Sequence, residues 1–261
     1  MSERVTISIE GGIADVRLNR PDKMNALDPA MFAGIEGAIA RLRDARGLRA
    51  VVLSGEGRAF CAGLDMASMA AGGASAGLDL TDRTHGPANI FQHVSWGWRE
   101  LPVPVIAAVH GIAFGGGFQI MSGADVRIVR PDARLSIMEL KWGLVPDMAG
   151  IALWRTLVRD DVLRELTYTA REFSGEEALR YGFATRLADD PHAEAMALTR
   201  EIAGRNPDAV RGAKRMYNAY THDAEALLIT ESVEQAAVIR TPNQIEAVRA
   251  NLEKRAPRFS G

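Results

Sequence analysis

The hydrophobic pattern opens as an alternation. Val5-Thr6-Ile7-Ser8-Ile9 and Ile13-Ala14-Asp15-Val16-Arg17-Leu18 each place apolar side chains at every second position, with Gly11-Gly12 between them. That pattern predicts a β-hairpin. Pro21 then disfavours any helix starting at Asn19-Arg20 and breaks the chain. Asp28-Pro29, a capping residue followed by proline, predicts a helix running to about Arg43. Ala50-Val51-Val52-Leu53-Ser54 is a continuous apolar run closed by Gly55 and Gly57, the pattern of a strand covered on both faces. Residues 69–88 are rich in Gly, Ala, Ser and Thr without a period, and are expected to form a loop or frayed helix. A helical stretch leads to Pro102 and Pro104, then a buried strand Val105–Val109, a glycine-rich turn Gly111–Gly117, a small-residue helix over about 117–124, and a short strand Val126–Val129. From about residue 160 the pattern is mostly helical, including 193–204, 207–219, 222–239 and 242–253. Strands alternating with helices early and helices dominating late predict an α/β core with a C-terminal helical part.

Composition narrows the classes. A chain of 261 residues suits one large domain, or one domain with a small helical appendage. With 47% hydrophobic and 25% charged residues, global disorder is excluded. A formal net charge of −2 supplies no field to draw nucleic acid or an anionic membrane, so neither is expected as a partner. The N-terminal segment lacks the apolar run of a signal peptide, and no stretch is long enough to span a bilayer. Cys61 is alone and cannot form an intrachain disulfide, which fits a reducing, cytoplasmic setting. His85, His93, His110, His192 and His222 show no ligand spacing, so no metal site is expected.

Three segments carry candidate chemistry. Arg58-Ala59-Phe60-Cys61-Ala62-Gly63-Leu64-Asp65-Met66 follows a buried strand, and its small residues let backbone approach a ligand with an N–H turned outward. Taken alone it serves equally as a tight turn. His110-Gly111-Ile112-Ala113-Phe114-Gly115-Gly116-Gly117-Phe118-Gln119 follows another buried strand and opens a helix, whose unpaired N–H groups suit an anion or a developing oxyanion. It lacks both the Gly-Lys-Ser/Thr ending of a phosphate loop and the dinucleotide spacing. Ser136 to Asp147 sets Glu139 and Asp147 among Met, Trp, Leu, Val and Pro. Apolar surroundings raise a carboxyl pKa and make it a usable proton carrier; the plainer reading is a solvated acid or a Glu–Lys pair. His110 is expected to be a structural hydrogen-bonding residue, and Trp96 and Trp98 to pack a core.

The three segments together, in this order, resemble the crotonase family, the enoyl-CoA hydratase/isomerase superfamily. The similarity runs along essentially the whole chain. It includes Leu18-Asn19-Arg20-Pro21, Asn25-Ala26-Leu27, Phe173-Ser174-Gly175-Glu176-Glu177-Ala178-Leu179 and the ending Asn251 to Phe259. The resemblance implies a spiral of repeated ββα units over residues 1–195 and a C-terminal helical region, 196–261, that assembles homotrimers or hexamers. It implies an oxyanion hole from the Leu64 and Gly116 N–H groups. Met24, Ala26, Ala62, Asp65 and Met66 would lie along the adenine and pantetheine of an acyl-CoA thioester, with Arg20 and Lys23 as phosphate contacts and residues 67–95 around the acyl chain. No cofactor is implied beyond the coenzyme A of the substrate itself.

The sequence also departs from the family. Typical hydratases carry two glutamates; here the second is Glu139, but the first position is Gln119, which cannot accept and return a proton. Asp147, eight residues beyond Glu139, resembles the spacing of the dienoyl-CoA isomerase branch. The expectation is therefore an enoyl-CoA hydratase/isomerase-type enzyme of fatty-acid or related acyl-CoA breakdown, with Glu139 as main acid/base, Asp147 second, and Gln119 positioning water or the thioester. A double-bond isomerase using Glu139 and Asp147 is the alternative. A non-catalytic acyl-CoA-binding scaffold or sensor is the reading from another class.

Overall fold

The computed structural model describes residues 3–70, 79–218 and 224–258. Strands β1 (Val5–Glu10) and β2 (Ile13–Leu18) form the expected antiparallel hairpin, Val5 opposite Leu18. Helix α1 (Pro29–Arg43) starts where expected: Asp28 Oδ1 accepts the Met31 N–H at 2.8 Å. Its buried face is Met31, Ile35, Ile39 and Leu42, one stripe at helical spacing. Strand β3 (Ala50–Gly55) lies parallel to β2 with Ala50 to Ser54 all buried. Within the stretch left as loop or frayed helix, α2 (Met66–Ala70) is helical, residues 71–78 lie outside the described residues, and the rest is turns closed by a His85–Ala88 bridge.

Beyond it the ββα repeat is visible. Helix α3 (Ile90–Glu100), opened by an Asn89–Gln92 capping box, leads to β4 (Val105–Val109) in one sheet. The chain then passes to β5 (Ile112–Phe114) in a second sheet and to α4 (Gly116–Ser122). The next turn repeats the order with β6 (Val126–Val129), β7 (Arg134–Ser136) and a 3₁₀ turn, Glu139–Trp142. The preceding turn fits the same plan, because Cys61 bridges to Ala113 and so reaches the second sheet after β3. Helices α5 (Gly150–Trp154) and α6 (Asp160–Thr169), strand β8 (Phe173–Ser174), helix α7 (Gly175–Tyr181) and strand β9 (Arg186–Leu187) follow. The first sheet runs β1-β2-β3-β4-β6-β9, parallel from β2 onward, and the second runs β5-β7-β8. Phe118, Trp154, Phe173 and Phe183 pack between the elements, with Phe118 5.0–5.6 Å from each of the other three rings.

Four helices complete the chain: α8 (Pro191–Ala203), α9 (Pro207–Asn218), α10 (Ala224–Val238) and α11 (Pro242–Leu252). Ala195 of α8 is buried against Val52, Ile106, Ala108 and Ile128 of the first sheet. The boundary expected at 195/196 therefore falls inside a helix that packs on the core. Helix α9 is tied down by Lys214, whose Nζ reaches Asp125 and the Val103 carbonyl at 2.8 Å each while 6% exposed. Removing one partner of so buried a pair costs about 3–5 kcal/mol. Among the described residues, no helix is long and apolar enough to cross a membrane.

Candidate active site

A cavity of about 780 Å³ opens between the two sheets' loops and the C-terminal helices. One wall is backbone. Gly63 sits at φ 84°, and a Cβ there would come 2.6 Å from the Phe114 carbonyl oxygen and 3.6 Å from the Gly116 nitrogen. Only glycine lets these two turns lie so close. In the bridge between Leu27 and Leu64, the Leu27 N–H donates to Gly63 and its carbonyl accepts from Asp65, so the Leu64 N–H faces away from it. Gly116 opens α4, where N–H groups have no partner within the helix. Among the described residues neither N–H is spent in another hydrogen bond, and both residues line the cavity. Two adjacent unpaired donors can hold a developing oxyanion.

A second part of the lining is acidic. Glu139 is 8% exposed and Asp147 half-buried, and both line the same cavity. Burial pushes the Glu139 carboxyl up to about 7, against the pull of nearby amides and of Gln119. Burial likewise pushes Asp147 up to about 7, and the Glu139 charge adds to the rise. A Cβ on Gly115 would meet Glu139 Oε1 at 3.4 Å, which places this carboxyl beside the turn carrying the Gly116 donor. Acids poised near neutral pH, beside paired amides in one apolar cavity, can carry a proton to and from a carbon next to a polarised carbonyl.

Side chains from distant parts of the chain hold the acidic wall. Four successive amides after Asp147 are taken up alternately. Gln119 Oε1 accepts from Met148 and Gly150 at 2.9 Å each, while Glu231 accepts from Ala149 at 2.9 Å and Ile151 at 3.1 Å. The remaining end of Gln119 donates to Glu139 Oε1 at 2.6 Å. Gln235 accepts the Val145 N–H at 3.1 Å and bonds the Asp147 carboxyl, holding it down against the burial that raises it. Burial pushes Glu231 up to about 8, opposed by its donors Ala149, Gln92 and Ile151.

Gln119 is thus placed differently from its expected role. It is fully buried, is not part of the cavity wall, and uses both ends of its amide internally, so it positions neither water nor thioester directly. Of the substrate-binding set, Ala62 and Met66 line the cavity, whereas Met24, Ala26 and Asp65 do not. Asp65 caps α2 by accepting from Ala67 and Ser68, and it pairs with Arg20 at 2.6 Å, which removes Arg20 as an open phosphate contact. Those bonds hold Asp65 below its usual carboxylate range despite the opposing effect of burial. Lys23 is exposed beside that turn. Met24 and Ala26 have backbone tasks, accepting from Ala62 N–H and Arg20. Asn25, buried, donates to the carbonyls of Glu56, Ala59 and Phe60 and so locks the first turn to the segment after β3.

Ser68, Leu80 and Phe91 of the expected acyl-pocket segment line the cavity. His110 pairs its Nε2 with the Gly57 carbonyl at 2.9 Å, and Trp96 and Trp98 are core residues. Two histidines do meet in space: His85 and His93 stack with ring centroids 4.1 Å apart. Among the described residues no group of three or more His, Cys, Asp or Glu is arranged to hold a metal ion.

Sequence reasoning missed Glu231 and Gln235, and assigned their region to assembly. A signal existed. Leu228, Glu231, Ser232 and Gln235 fall at i, i+3, i+4 and i+7 and are all buried. Polar residues on the stripe that faces the core need internal partners. Ile239, Ile245, Val248 and Leu252 also line the cavity, so the C-terminal helices form part of the site of their own chain.

Comparison with known proteins gives the family. Residues 8–261 match the Enoyl-CoA hydratase/isomerase family. The chain is 29% identical over 267 residues to the mitochondrial Delta(3,5)-Delta(2,4)-dienoyl-CoA isomerase of Rattus norvegicus, covering 95% of this chain and 79% of that protein. It is 31% identical over 269 residues to the carnitinyl-CoA dehydratase of Salmonella typhi, covering all of both. A crystal structure of an enoyl-CoA hydratase/isomerase from Mycobacterium paratuberculosis superposes with a TM-score of 0.83 at 27% identity, covering 97% of this chain and 99% of the other.

Proposed function

Because this chain belongs to the enoyl-CoA hydratase/isomerase family, we propose that it shifts a carbon–carbon double bond along the acyl chain of a coenzyme A thioester, with Glu139 and Asp147 handling the proton. The observation that carries this reading is the pair of acids, both raised to about 7, on one wall of an apolar cavity. The same cavity is lined by Leu64 and Gly116, whose amides have no other partner among the described residues. The thioester oxygen would accept both N–H bonds. One carboxylate removes a proton from carbon, the negative charge spreads onto the thioester oxygen, and a carboxylic acid returns a proton to a different carbon. No water is consumed and no electron leaves. The cavity's size and its aromatic and aliphatic lining, Phe32, Phe91, Phe114, Trp142 and Ile245 among it, suit a medium, long or bulky acyl group.

Hydration or dehydration is the second reading, favoured by the 31% identity to a carnitinyl-CoA dehydratase. It passes through the same enolate but needs a water placed by Glu139 or Asp147, since Gln119 is spent. A panel of 2-enoyl-, 3-enoyl- and dienoyl-CoA esters, followed by ultraviolet absorbance and mass, separates the two. Isomerisation changes absorbance at constant mass; hydration adds the mass of water. Tight binding with no turnover across the panel would identify a sensor or scaffold and end both readings.

Assembly into trimers or hexamers belongs to the same proposal. Its support is the apolar surface of the C-terminal helices, where Met216 and Tyr217 are 74% and 78% exposed and Leu252 66%. Sedimentation velocity on the full chain reads the answer directly. Residence in the cytoplasm is proposed with it, and fits Cys61, a free thiol that burial pushes up to about 12.

A further inference from the structure

The Gln119 amide admits one orientation. The N–H groups of Met148 and Gly150 both reach the same end of it, at 2.9 Å each. An NH₂ group cannot accept them, so that end is the oxygen and the end 2.6 Å from Glu139 Oε1 is the nitrogen. With an N–H aimed at Oε1, a proton on that oxygen would face another hydrogen at close range. Glu139 Oε2, by contrast, is buried without any hydrogen-bond partner.

We infer that Gln119 is a positioning residue that confines the transferable proton of Glu139 to Oε2, while pinning the segment that carries Asp147 through Met148 and Gly150. This rests on Glu139 being the acid/base of the proposed reaction. The inference accounts for a neutral amide where typical hydratases have a glutamate. A carboxylate at 119 would still accept the two amides with one oxygen, but its other oxygen would face Glu139 Oε1 at hydrogen-bond distance. Only a proton shared between them relieves that repulsion, and the shared proton sits on the oxygen turned away from substrate. The other charged groups around Glu139 are Asp147, Arg240, Arg249 and Glu253, which line the same cavity, with Glu231 on α10 holding the segment after Asp147 and Lys141 on the same turn as Glu139.

The test uses the full chain as wild type, Gln119→Glu, Gln119→Leu and Glu139→Gln. Infrared spectra across pH identify the protonated Glu139 carboxyl by the band lost in Glu139→Gln. In Gln119→Glu that band should shift to lower frequency and survive to higher pH. With an active ester, kcat should fall on the order of 100-fold at near-constant KM, and its pH profile should move up by about one unit. Gln119→Leu should lower kcat similarly, with faster amide exchange at residues 148–150. A folded Gln119→Glu whose carboxyl band and kcat–pH profile match wild type overturns the inference, whether or not Gln119→Leu folds. If wild type turns over no ester, the functional reading fails separately. The infrared arm still decides: a shifted band upholds the positioning role and an unshifted one removes it.

Discussion

The two walls of the cavity are built in opposite ways. The donor wall is backbone: Gly63-Leu64 follows Cys61, which bridges to β5, Gly115-Gly116 follows β5 itself, and the close approach of two glycine turns brings their amides to one cavity. The acid wall is assembled at long range. The segment around Asp147 runs into the short helix α5 and is held by Gln119 from α4 and by Glu231 and Gln235 from α10, some eighty or more residues downstream of it. A wall made of backbone is insensitive to most side-chain changes, whereas a wall hung on side-chain hydrogen bonds depends on each of them.

Glu139→Gln offers the largest effect. Losing the acid/base should cut kcat about 10²–10⁴-fold with the fold intact, measured against whichever ester the panel selects. Retention of full activity would move the chemistry off the acid wall. Gly63→Ala probes the donors. The added methyl would lie 2.6 Å from the Phe114 backbone carbonyl oxygen, and Gly63 holds φ 84°, so the turn must shift and the neighbouring Leu64 N–H with it. A lost oxyanion donor lowers kcat about 10²–10³-fold. Leu64→Ala, which keeps its N–H, should cost far less.

Glu231→Ala should separate the walls by stability. It leaves the Ala149 and Ile151 N–H groups without acceptors, at about 1–3 kcal/mol each. Tm should drop by several degrees, and hydrogen exchange should quicken over 148–151 while the Asp65 and Leu27 amides that tie down the donor turn exchange as before. Equal loosening of both segments would show that the walls are one unit.

A smaller effect comes from pH. Glu139, Asp147 and Glu231 all have raised folded pKa values, to about 7, 7 and 8. Between the ordinary carboxylate range and about pH 8 the folded chain binds more protons than the unfolded one, so this contribution is full at low pH and is lost as pH rises through 7–8. Tm should therefore fall from pH 5 to pH 9, and less steeply in Glu231→Gln. Asp65→Asn should do least. Asparagine still caps α2, and Arg20 keeps Asp28 and the Ala26 carbonyl as partners, so thermal melting should show the smallest Tm change of the series.

The same contrast explains what the sequence made legible. Strands Val5–Glu10, Ile13–Leu18 and Val105–Val109 announce themselves by alternation or an unbroken apolar run, and α1 by Asp28-Pro29. Leu64, Gly116 and Glu139 could be named because the three segments that carry them, taken in order, resemble those of the family; the spacing of apolar positions alone left each segment open to a plainer reading. Elements of two to five residues, such as β5, β7, β8 and α5, are shorter than any period that could reveal them. Gln119 was located and its task misjudged, because hydrogen-bond capacity is visible in a residue type but its partners are not. Asp65 was drawn into the substrate set for the same reason: the sequence cannot show that Arg20 returns to meet it.

Glu231 has an implication for anyone building chimeras. A tail that looks exchangeable between relatives carries, on one face of α10, the anchor of the segment that follows Asp147. Grafting a foreign tail onto residues 1–218 could therefore yield a well-folded product that binds its ester and leaves it unchanged. Tail and acid segment are best transplanted as a matched set.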